Sequence, residues 1–153
     1  MIIKIVKVFI VLFCMFTIFM LSADDNNESN KKSDGLIIKA CKILVRKDLS
    51  EKEQQAYIDK YVTFVRKSAH FTIYLLLGLS IISLIKEYRQ IDIKSLIIAL
   101  IISVLYAVSD EIHQILVPGR SGEIRDVLID SIGSLTGIYL YYLFYKIRRK
   151  KYE

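Results

Sequence analysis

Several polar side chains stand where an apolar run would exclude them unless they had work to do. Lys67 and His70 are three apart, and Tyr74 follows one turn later on the same helical face. Asp110, Glu111 and Gln114 close another apolar run, and His113 is three residues from Asp110. Asp126 and Asp130 are four apart and continue in phase to Gly133 and Gly137. Arg120 lies between, in the turn Pro118-Gly119-Arg120-Ser121-Gly122. Two chemistries suit such a set. The cations Lys67, His70 and Arg120 can receive an anionic group, with Glu111, Gln114 and Asp126 orienting them; a forked guanidinium suits phosphate or carboxylate. Alternatively, a buried Glu111 acts as general base with His70 as its partner. Simple ion pairing among these residues is the competing structural explanation.

The rest of the sequence gives these residues their setting. The chain has 153 residues, 54% of them hydrophobic, against about 45–50% in soluble domains. Charged residues make up 25% but fall in clusters, leaving long uncharged stretches between them. Four stretches fall within the roughly 17–25 residues that cross a bilayer: about 2–21, 69–85, 93–109 and 127–145. Within lipid, each must pair its own backbone groups and is read as a helix. The expected fold is therefore an all-α bundle of four transmembrane helices in one membrane domain. One Pro and six Gly argue against a loop-rich β fold.

The connection 22–67 is read as an outer loop carrying helices. Ile37, Ala40, Cys41, Leu44 and Val45 share a helical face opposite Lys39, Lys42 and Arg46, which suits an amphipathic helix at the membrane surface or one packed on the spans. Ser50 followed by Glu53 forms a capping box, and the helix it starts can run into the second span. Asp24–Asp34 lacks periodicity and is read as a loop. The first span is read as uncleaved, since Leu21 is a poor fit to a small-residue cleavage site.

The formal charge of +6 sits at the ends of apolar runs, so it speaks for a membrane and against nucleic acid. The dense basic tail Lys146-Ile147-Arg148-Arg149-Lys150-Lys151, beside Tyr139, Tyr141, Tyr142 and Tyr145, places both termini in the cytoplasm. Cys14 and Cys41 form no metal or disulfide spacing. No cofactor fingerprint is present, and no metal site is expected: a set such as His70, Glu111 and Asp126 lacks an HExxH spacing. Gly133 and Gly137 form a GxxxG spacing that permits close helix packing and offers a route to a homodimer.

The segment Arg66-Lys67-Ser68-Ala69-His70-Phe71 with Tyr74 resembles the opening motif of the VanZ-like family of bacterial membrane proteins. So do Ser109-Asp110-Glu111-Ile112-His113-Gln114, Pro118-Gly119-Arg120, and Asp126, Asp130, Gly133 and Gly137, in that order, while Ile18–Ser22 resembles the family's start. The likeness runs from about Ile18 to Tyr145. It implies a multi-pass protein of the bacterial cell membrane with a role at the cell envelope; the family's namesake is associated with teicoplanin resistance. The family pattern falls on Lys67, His70, Glu111, Gln114, Arg120, Asp126 and Gly133. Members often carry Asn near the position of Asp130, so an acid there alters the charge of the cluster. The implied ligands are membrane lipids, a lipid-linked cell-wall precursor or a lipoglycopeptide. The first functional reading is an outer-leaflet pocket for an anionic envelope lipid or lipoglycopeptide-related ligand. The second is an intramembrane hydrolase or transferase using Glu111 and His70. Transport ranks below both, because few polar residues lie deeper in the spans.

Overall fold

The computed structural model describes residues 1–23, 33–40, 43, 50–117 and 122–150. Four long helices account for most of them: α1 (Ile2–Ala23), α2 (Glu51–Ile85), α3 (Ile93–Ile115) and α4 (Ile124–Lys150). All four are long and apolar enough to cross a membrane. The flanks agree with that reading. Phe9, Phe13 and Phe16 on α1, Ile101 and Leu105 on α3, and Leu128 and Ile132 on α4 face outward, where only lipid would cover them.

Local chemistry sets where the helices begin. Ser50 caps α2 with a complete capping box to Glu53, as its spacing predicts. From that cap α2 runs unbroken for 35 residues, well ahead of the span expected at 69–85. Asp92 caps α3 by accepting the Ser95 N–H at 2.8 Å, and Arg89 pairs with it at 3.0 Å. Hydroxyls inside the helices donate to carbonyls of the preceding turn, as Ser103 does to Ala99 (2.9 Å) and Ser131 to Val127 (2.7 Å). This satisfies them without water.

α2 and α4 share the largest interface, and both contact α3; α1 lies on α2 and α3. Close approach rests on small residues. Ser95, Ala99, Ser103 and Ala107 form a buried stripe of four-residue spacing down α3. On α4, Gly133 and Gly137 meet the backbone of α2 at Phe71 and Leu75, while Gly78 of α2 meets the backbone of Ser134. The GxxxG face is thus covered within the chain by α2.

α1 is held by Ile18, buried in the core, and by Tyr106, whose hydroxyl donates to the Met15 carbonyl at 2.6 Å. The start of α1 and the last turns of α4 lie on one side of the bundle. There Lys7 bonds to Glu87 (2.6 Å) and to the Ser83 carbonyl (3.0 Å), Lys4 sits over the Tyr88 ring, and Lys86 over the Tyr145 ring. The segment 33–40 is helical and buries Ile37 against Tyr57, Ile58, Val62 and Val65 of α2. Of the amphipathic helix expected around it, Cys41, Lys42, Leu44, Val45 and Arg46 lie outside the described residues, as do 24–32 of the expected loop.

Candidate functional site

The polar residues gather at the end of the bundle opposite the start of α1, on three helices. α2 presents Lys67, His70 and Tyr74 on one face, since three- and four-residue steps keep side chains aligned. α3 continues its small-residue stripe into Asp110, Glu111 and Gln114, all buried. α4 begins with Asp126 and Asp130 in phase with its glycines, so the contact that packs Gly133 against Phe71 also turns both acids toward α2.

Two polar groupings result. At the rim, Lys67 pairs with Asp126 by a short contact and with Glu123 at 3.3 Å. Deeper, His70 Nδ1 stands 3.7 Å from Asp130 Oδ2, and donor atoms of His70, Asp110 and Asp130 all lie within 4.8 Å of one another. The Gln114 amide donates to Asp110 Oδ2 at 3.1 Å and reaches the Ser22 hydroxyl of α1 at 3.4 Å. Tyr74 is fully buried, with Asp110 beside its hydroxyl. That hydroxyl, His70 Nδ1 and Asp130 Oδ1 are buried without a hydrogen-bond partner. Ser134 fixes the backbone under Tyr74 by donating to its carbonyl at 3.1 Å.

Of the residues expected from the sequence, Lys67 and Asp126 meet directly, and Gln114 joins the same end through Asp110. The Glu111 carboxylate accepts the Glu123 N–H just before α4, while the carboxylates that lie beside His70 are Asp130 and Asp110. Arg120 and the rest of 118–121 lie outside the described residues. His113 faces elsewhere, stacked on Phe19 of α1 with ring centroids 4.6 Å apart. Sequence reasoning named Asp110 and Tyr74 without giving them a role. The usable signal was the spacing of Asp110 and Gln114, four apart at the foot of a stripe of small residues. Glu123 was missed altogether.

An all-α bundle with four apolar spans, carrying a carboxylate and imidazole cluster at one end, defines a polytopic membrane protein. A family model described as VanZ/LLP1 matches residues 7–145, nearly the whole bundle, and the chain belongs to that family. No curated protein and no solved structure matches it.

Proposed function

We propose that this protein resides in the bacterial cell membrane with both termini cytoplasmic, and that its polar end receives the anionic headgroup of an envelope lipid or lipid-linked wall precursor at the outer leaflet. A gradient of exposure carries this reading. Side-chain exposure falls from 47% at Glu123 through 25% at Lys67 and 23% at Asp126 to 18% at His70 and 2% at Asp130. The polar residues thus line a path from the bundle's edge inward, between apolar helix flanks that suit acyl chains. Lys67 keeps its Asp126 partner, while its longer contact to the exposed Glu123 is the kind of surface pair that exchanges at little cost. A phosphate can take the place of Glu123 on the ammonium, and Arg120, three residues before Glu123 in the sequence, would supply a second donor.

The experiment is lipid selection by the full chain, purified and placed in mixed phosphatidylglycerol and phosphatidylcholine nanodiscs. The retained lipid should be enriched in phosphatidylglycerol, and Lys67→Gln and Arg120→Ala should remove the enrichment. Equal retention of both lipids, or enrichment untouched by both substitutions, would reject the reading. A lipoglycopeptide ligand is tested the same way, by teicoplanin binding with and without the two substitutions.

A second reading is favoured by the His70–Asp130 pair, since a carboxylate beside an imidazole orients it as a general base. It predicts turnover of labelled envelope lipid that His70→Gln abolishes; an unchanged lipid pool would remove it.

A further inference from the structure

The deeper grouping concentrates acid inside the bundle. His70, Asp110 and Asp130 converge from three different helices, and with both carboxylates ionised even a protonated imidazole leaves one negative charge in excess. Uncompensated charge inside a membrane bundle is expensive. The hydrogen bonding is also incomplete. Asp130 is essentially inaccessible, yet its Oδ1 has no partner, and His70 Nδ1 is likewise unmatched. A fourth residue adds to this: the wholly buried Tyr74 brings a hydroxyl with no hydrogen-bond partner beside Asp110. Buried polar atoms without partners are rare in folded proteins, and several on neighbouring residues call for an occupant.

We infer that His70, Asp110 and Asp130 form an intramembrane site for a divalent transition-metal ion of the Zn²⁺ or Mn²⁺ class, with the Tyr74 hydroxyl on its border. One imidazole nitrogen with two carboxylates is a mixed N/O set suited to these ions. Ca²⁺ is a poorer match, because it takes six to eight oxygens. Metal–ligand bonds of about 2.0–2.2 Å place donors on one ion roughly 3–4 Å apart. Separations of up to 4.8 Å close to that range by small rotations of the carboxylates. A supporting layer is present as well: Gln114 donates to Asp110 and is itself tied to Ser22, which fixes the orientation of that carboxylate. The site stands apart from the lipid reading, although a bound dication would offset the acids that repel an anionic headgroup; that consequence alone rests on the lipid reading.

The test uses the full-length chain in detergent, stripped with chelator and offered Zn²⁺ or Mn²⁺ alone. We expect one tightly held ion per chain and a higher unfolding temperature on loading. Asp130→Asn and His70→Gln should each weaken binding by more than the roughly 10–100-fold that loss of a ligand's supporting hydrogen bond costs, while His113→Gln leaves it unchanged. If the substituted chains fail to fold, pulsed electron paramagnetic resonance of Mn²⁺ on the wild-type chain decides: it should show coupling to an imidazole nitrogen that persists in His113→Gln. No stoichiometric retention of either ion, binding indifferent to both ligand substitutions, or bound Mn²⁺ without nitrogen coupling would each overturn the site. None of these outcomes depends on whether a lipid binds.

Discussion

Gly133 of α4 faces the carbonyl of Phe71 on α2 so closely that a β-carbon at Gly133 would lie 2.5 Å from that oxygen. The atom it would strike belongs to the backbone of a helix and cannot swing aside. Gly133→Ala must therefore part the two helices or bend one, at about 1–3 kcal/mol by the usual cost of overpacking. Gly137→Ala, against Leu75, should cost at least as much. Gly35 meets nothing within 4 Å, so Gly35→Ala is the control and should be neutral or slightly stabilising through helix propensity. Thermal unfolding of the purified chains in detergent reads all three. An unchanged midpoint for both Gly133→Ala and Gly137→Ala would mean that α2 and α4 do not cross there.

The same crossing shows what could be read in advance. The spans were legible because charge in hydrocarbon is costly, so the chain segregates it into blocks. The α2 start was legible because Ser50 and Glu53 are local partners. The phase Asp126, Asp130, Gly133, Gly137 was legible because one helix fixes it. Pairings between helices were not. Choosing Asp130 over Glu111 as the neighbour of His70 requires the rotation of α2 against both α3 and α4, which no single helix encodes. A GxxxG face likewise announces a close neighbour without saying whether that neighbour is the same chain, and Gly78, isolated in sequence, announced nothing.

Lys67 joins α2 to the start of α4 through Asp126 and Glu123. These side chains are about a quarter to a half exposed, so the pairing should fall between a surface bridge and a buried one, at about 1–2 kcal/mol. A double-mutant cycle with Lys67→Met and Asp126→Asn should show a positive coupling of that size, because the second loss removes an acid already left alone. The corresponding cycle with Glu123→Gln should give much less. Coupling near zero for Asp126 would place the interaction in bulk-like water.

Glu111 gives a sharper test, since its two possible roles respond differently to one atom. Accepting the Glu123 N–H needs an oxygen and no charge, so Glu111→Gln should keep the fold and at least half of any lipid selectivity or turnover. Glu111→Ala should lose about 1 kcal/mol, as removal of a helix-start acceptor does. A base role would reverse the pattern: Glu111→Gln would abolish turnover while leaving stability alone. Measuring unfolding and function on both variants separates the two.

At the opposite end, Lys7 hydrogen-bonds the Glu87 carboxylate and, helped by the nearby Lys86 and Lys4, holds its pKa below the ordinary glutamate value. A carboxyl lowered on folding contributes stability that is fully present above its unfolded pKa and disappears as pH falls through the folded one. The stability difference between wild type and Glu87→Gln should therefore be constant from neutral pH down to the usual glutamate range. It should shrink below that range and vanish once Glu87 is protonated in the folded chain. Because the pair is near the surface, added salt should reduce the difference at every pH. Unfolding midpoints in detergent, taken across an acid series at low and high salt, check this; a difference that grows on acidification would show that Lys7 does not hold the ionised form.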